Sequence, residues 1–116
     1  MTTATDCLFC RIASGAIPST RVYESDDIVA FRDIDPKAPT HVLVIPREHI
    51  VSLDHLEPRH AELVGRMHLA AANIARDEGL DDGWRAVVNV GEGGGQTVFH
   101  LHLHLLGGRS LTWPPG

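Results

Sequence analysis

Residues 98–108 read VFHLHLHLLGG, with His100, His102 and His104 alternating with Leu101, Leu103 and Leu105. Successive side chains of an extended strand point to opposite faces, so the three imidazoles line one face at steps of about 6.6 Å while the leucines line the other. The leucine face needs an apolar cover, and this predicts a sheet whose back is packed against something helical. The imidazole face has two chemical uses, because neutral imidazole is a metal ligand and also a nucleophile near neutral pH. A partly polar sheet face with incidental histidines is the alternative.

Working outward from that strand, "WRAVVNV" (84–90) and "TVFHLHLHLL" (97–106) read as two strands joined by the glycine-rich "GEGGGQ" (91–96). Upstream, "STRVYES" (19–25) and "DIVAFRD" (27–33) form a hairpin across Ser25, Asp26 and Asp27, and "HVLVIP" (41–46) adds another strand after a proline-marked turn. Between the two groups the period changes. Leu63, Met67, Ala70 and Ile74 recur at helical spacing, with Pro58 suited to a first turn and Gly79 to a C-terminal stop, which predicts one long helix over roughly 60 to 79. Strands, one helix, then strands again favour an α+β antiparallel sheet over alternating βαβ units. At 116 residues, without repeats, residues 1–116 read as one domain with an extended tail at 109–116, where two prolines stop regular structure.

Composition removes several function classes. A net charge of −5 with ten scattered Lys and Arg argues against a nucleic-acid partner, which needs a concentrated basic surface. No apolar run approaches the roughly 20 residues of a membrane span, and MTTATDCLFC lacks the cationic start and apolar core of a leader, so a cytoplasmic location is expected. Cys7 and Cys10 are too few and too close for a secreted disulfide framework. Redox motifs of this spacing normally follow a strand and open a helix, whereas these lie near the chain start; free cysteines in packing are the plain alternative.

The loop before the histidine strand suits an anion. Its glycines allow close backbone approach, main-chain amides near Gly95 offer donors, and Gln96 and Thr97 add polar side chains; a flexible hairpin connection is the plainer reading. Asp33, between Phe31 and Ile34, is a carboxylate among apolar neighbours and needs partners.

His-x-His-x-His followed by apolar residues resembles the signature of the histidine triad (HIT) family, matched by residues 100–106. "FRDIDPKAPTHVLVIPREHI" (31–50), "VVNVGEGGGQTVFHLHLHLLGGR" (87–109) and "WPPG" (113–116) are similar to motifs of its Hint branch, the purine nucleoside phosphoramidases, in the same order. That resemblance implies a HIT fold, a five-stranded antiparallel sheet with one long helix, extended across a homodimer in which each tail reaches the partner. It implies that His102 attacks an α-phosphorus to form a nucleotidyl-histidine, with His104 as electrostatic partner or proton donor. His41 would fix the orientation of the nucleophile, and His100 completes the set; for His41 an exposed position at a strand start is the alternative.

The same resemblance makes Asn89 and Thr97 donors to the phosphate and Asp33 the acceptor for both ribose hydroxyls. Phe31, Ile34, Leu8, Phe9 and Ile12 would form the slot for the base of AMP or GMP, against plain core packing. It further implies a structural zinc on Cys7, Cys10, His49 and His100, although many Hint-branch proteins lack the cysteines. The rivals are a diadenosine polyphosphate hydrolase or phosphorylase of the same superfamily, a non-catalytic nucleotide-binding module, and a metal enzyme using all three triad histidines as ligands.

Overall fold

The structure, a computed structural model of one chain, describes residues 6–116; residues 1–5, part of the stretch read for a leader, lie outside the described residues. Its elements are α1 (Leu8–Ser14), β1 (Arg21–Glu24), β2 (Ile28–Arg32), β3 (Thr40–Pro46), α2 (Ala61–Asp77), β4 (Trp84–Val87) and β5 (Leu103–Gly107). The five strands form one antiparallel sheet in the order β1-β2-β3-β5-β4. None of the helices among the described residues is long and apolar enough to cross a membrane.

Period-2 patterning decides what each face of the sheet carries. Ile28, Ala30, Val42, Val44, Leu101, Leu103 and Leu105 meet Leu63, Met67, Ala70, Ala71 and Ile74 of α2 in one buried cluster. Those helix positions recur every three or four residues, the stripe that a single helix face presents. Val29, Phe31, Leu43 and Ile45 point the other way and are covered by Phe9, Ile12 and Ala13 of α1. β2 and β3 are therefore buried on both sides, which is why they read as continuous apolar runs.

α2 is shorter than the predicted span at both ends. Pro58 opens a separate 3₁₀ turn, Pro58–His60, and the α-helix begins after it at Ala61. At the other end Gly79 takes φ +71°, its N–H donating to the Arg76 carbonyl while Leu80 N–H donates to that of Ala75. This pair of bonds satisfies carbonyls left over at the helix end, and the left-handed residue between them is the reason for a glycine.

Two local expectations are corrected. The residues from Cys7 onward do open a helix: the Cys7 side chain caps α1, accepting from Cys10 N–H at 3.3 Å, and Gly15 closes it at φ +85°. The last strand joins the sheet only at Leu103, because Val98–His100 bend away and Leu101 N–H donates instead to the Ile50 carbonyl at 2.6 Å. The alternation of faces nevertheless survives that bend, with Leu101 still in the α2 cluster. Trp84 is 38% exposed because β4 is the sheet edge.

Candidate active site

The α1 side of the sheet collects the histidines into two groups. His102 and His104 have ring centroids 4.8 Å apart, and the Phe9 ring stands edge-on to His102 at 5.1 Å. β5 positions His104 directly, through its register with Leu43 of β3, and β3 presents His41 opposite Leu106. Both His41 and His102 are buried.

Backbone groups decide which ring nitrogen carries each proton. His102 Nδ1 lies 2.7 Å from the carbonyl of His100, an acceptor only, so Nδ1 holds the hydrogen and Nε2 keeps the free lone pair. Lys37 N–H donates to His41 Nδ1 at 3.0 Å, which forces the proton of neutral His41 onto Nε2. That Nε2–H faces His104 Nδ1 at 2.9 Å, with Asp33 Oδ2 at 3.5 Å, and so His104 in turn presents an Nε2–H donor. The His41 ring orders His104, whereas His102 is oriented by the carbonyl two residues before it.

Burial lowers the basicity of all three rings. It dominates at His41 and His102, and it holds His104 down to about 4 with help from the neighbouring His102 and His41 rings. At neutral pH the free protein therefore offers an unprotonated nitrogen on His102 beside a neutral, hydrogen-bonded pair.

A cavity of about 550 Å³ opens in front of these rings. Phe9, Ile12 and Phe31 form its apolar wall, and Leu8 and Ile34, 45% and 100% exposed, stand at its mouth. Asp33, Thr97, His41, His102 and His104 supply its polar side. One Asp33 oxygen accepts from Asp35 N–H at 2.8 Å, leaving the other near His41 and the cavity. Leu43, Val98 and Lys37 also line it without having been singled out from sequence; Val98 beside Thr97 was the nearest cue, and nothing local marks Lys37, whose contribution to His41 is a main-chain hydrogen. His41 and His104 also border a second cavity of about 370 Å³ that contains Asn89 and the C-terminal tail. The tail thus lies along this chain's own site.

The glycine loop does not form the expected cradle. Gly94, Gly95 and Gln96 donate their main-chain hydrogens to Gly91 and Glu92 carbonyls inside the loop, so these amides are spent locally. Gln96 is buried; its oxygen accepts from Gly91 N–H and its amide nitrogen donates to the carbonyls of Val51 and Val98. Gly95, at φ +93°, sits against the side chain of Asn89. Loop and glutamine are a brace under Thr97.

The first triad histidine belongs to the other group. His100 Nε2 donates to the Pro46 carbonyl at 2.8 Å, which leaves Nδ1 as the free lone pair, 3.2 Å from Cys7 Sγ and 3.4 Å from Cys10 Sγ. His49 Nδ1 lies 3.3 Å from Cys10 Sγ, and its buried Nε2 has no hydrogen-bond partner among the described residues. The four ligand atoms all fall within 4.8 Å of one another. Burial, with Cys7 beside it, pushes the Cys10 thiol up to about 11. Two sulfurs and two aimed imidazole nitrogens converging in a buried site fit a tetrahedral zinc, which would supply the charge that makes thiolates stable there. Among the described residues the other such group is Asp33, His41 and His104; the three triad rings do not form one, against the reading in which all three ligate a single metal.

The family model described as scavenger mRNA decapping enzyme C-term binding matches residues 6–112. A HIT family hydrolase from Legionella pneumophila Philadelphia 1 superposes with a TM-score of 0.93 at 53% identity, covering 95% of this chain and 99% of that one. The chain belongs to the HIT family. Other HIT relatives include a 14 kDa zinc-binding protein of Brassica juncea, 49% identical over 96% of this chain and 100% of the relative. An adenylylsulfatase HINT1 of Arabidopsis thaliana is 47% identical over 94% of this chain and 76% of its own length. A Zn-bound histidine triad family protein from Mycobacterium smegmatis has a TM-score of 0.79 at 37% identity, covering 92% of this chain and 78% of that one.

Proposed function

We propose that this HIT chain is a Hint-type hydrolase that binds a purine nucleoside monophosphate unit, AMP or GMP, and releases it from an amine or similar leaving group through a nucleotidyl-histidine at His102. The observation that carries the reading is the fixed Nε2 lone pair of His102, held at the wall of a cavity that also presents the Asp33 carboxylate. Supporting it are the kinship with a hydrolase and with an adenylylsulfatase, both proteins named for hydrolysis.

In the first step His102 Nε2 attacks the α-phosphorus and the bond from phosphorus to the leaving nitrogen breaks. The phosphate anion raises the proton affinity of the His41–His104 pair, so the substrate-bound pair takes up one proton from solvent; the departing nitrogen accepts that proton and the pair returns to its neutral form. In the second step water gives a proton back to the pair as its oxygen attacks phosphorus, and the bond to Nε2 breaks. Splitting one displacement into two replaces a poor water nucleophile with a positioned ring. Asp33 accepts from the ribose hydroxyls, the Phe9, Ile12 and Phe31 wall takes the base, and Thr97 and Asn89 donate to the phosphate.

Zinc on Cys7, Cys10, His49 and His100 ties α1 to the turn after β3 and to the triad segment, and the zinc-binding relatives support that assignment. A homodimer with the sheet continued across it, one domain per chain and a cytoplasmic setting complete the proposal. Turnover of adenosine and guanosine phosphoramidates beside dinucleoside polyphosphates tests it: hydrolysis of the former, lost on His102→Ala, is expected, and exclusive hydrolysis of the latter would contradict it.

A further inference from the structure

The two cavities share His41, His104 and Lys37 as a common wall. His102 lies on the first cavity only. In an in-line displacement at phosphorus the entering and leaving groups occupy opposite sides. On the proposed function, with His102 entering from the first cavity, departure is directed past His104 into the second. That cavity, about 370 Å³, is walled by Arg85 of β4, by Asn89, and by Arg109, Leu111 and Thr112 of the tail.

Its charge is one-sided. Among the described residues, no Asp or Glu lines it. Lys37 is paired with Asp35 at 2.6 Å, but the two arginines spend their donors on uncharged carbonyls: Arg85 on Thr112, and Arg109 on Lys37 and Ser110. On their far side both arginines border a separate cavity holding Asp81 and Asp82, yet neither comes within ion-pairing distance of a carboxylate among the described residues. Two guanidinium charges without counter-ions, beside the point of departure, favour an oxyanion and repel an ammonium.

We infer that the second cavity is a leaving-group subsite in which Arg85 and Arg109 select an anionic leaving group, either a sulfate expelled directly or an amine that carries a carboxylate. The inference rests on the proposed function and sharpens it from any amine to an acidic one.

The test uses the full-length protein and three adenosine phosphoramidates whose leaving amines differ only in bearing a carboxylate, a carboxamide or an ammonium at one position, with adenylyl sulfate as a fourth substrate. The carboxylate form should exceed the carboxamide in kcat/KM by about tenfold, with the ammonium form slower still, and the ratio should shrink as salt screens the arginines. Arg85→Gln combined with Arg109→Gln should bring the carboxylate-to-carboxamide ratio close to one, while Arg85→Lys keeps the charge and most of the ratio. If adenylyl sulfate loses rate in the double variant as well, the subsite takes a directly expelled oxyanion; a response from the carboxylate amine alone confines it to acidic amines. Equal kcat/KM for all three amines, or a ratio unmoved by the double variant, overturns the inference and leaves the proposed function standing. No turnover of any of the four overturns both.

Discussion

His100 and His102 are two residues apart, are both buried, and face the same side of the sheet, yet they offer opposite ring nitrogens. The Pro46 carbonyl takes the Nε2 hydrogen of His100 and frees Nδ1 toward the cysteines, whereas the His100 carbonyl takes the Nδ1 hydrogen of His102 and frees Nε2 at the cavity. On the proposed function, one residue type thus serves as a metal ligand and as a nucleophile through the position of a backbone acceptor. A histidine motif alone does not encode that division, because the tautomer belongs to the surroundings.

Removing the nucleophile gives the largest expected effect. His102→Ala should lower kcat by about 10⁴-fold or more, as loss of a covalent nucleophile does elsewhere, while calorimetry finds nucleotide binding retained. His100→Ala separates the two histidines: it should release metal first and weaken catalysis only as the fold loosens. Equal kinetic losses without metal loss would break the division of roles.

The zinc end should show in composition and stability. About one zinc per chain is expected by elemental analysis, and stripping it with a chelator, or making Cys7→Ser, should lower Tm by roughly 10 °C, the scale set by a ligand held well above its Kd. Activity of still-folded protein should outlast metal removal. Immediate, zinc-reversible inactivation with Tm unmoved would instead put the metal in the chemistry.

Most of the frame around the two histidines was legible in the chain and its decisive details were not. The period-2 run placed Leu101, Leu103 and Leu105 on one face, and the spacing of Leu63, Met67, Ala70 and Ile74 gave the helix that covers them. α1 escaped notice because seven residues are too few for a period, and its cap is a cysteine rather than Ser, Thr, Asp or Asn. As a sequence, the loop with Gly95 and Gln96 suits an anion, yet their hydrogen bonds close the loop on itself and on Val51, a contact 45 residues away. Lys37 orients His41 through a main-chain hydrogen, which no side-chain motif records.

Smaller effects sharpen the cavity end. Asp33→Asn should weaken ribonucleotide binding by about tenfold or somewhat more, since a charged acceptor is lost, and should weaken a 2′-deoxynucleotide less. Equal losses for both ligands would remove Asp33 from the ribose. The smallest effect is on acid stability. A neutral buried His104 holds off its proton down to about 4, whereas the unfolded ring accepts one near 6.5. The stability it contributes is therefore complete above 6.5 and lost as the pH falls from 6.5 toward 4. His104→Gln should flatten the fall in Tm over that window by a few degrees; identical slopes would deny the shift.

The division between the two histidines is tested most directly by quenching the enzyme in acid-free denaturant during turnover of an adenosine phosphoramidate and locating the added nucleotidyl mass by tandem mass spectrometry. The account predicts that the peptide spanning residues 98–108 carries it on His102 and leaves His100 unmodified. Steady turnover with no covalent nucleotide, or with the nucleotide on His100 or His104, would contradict it.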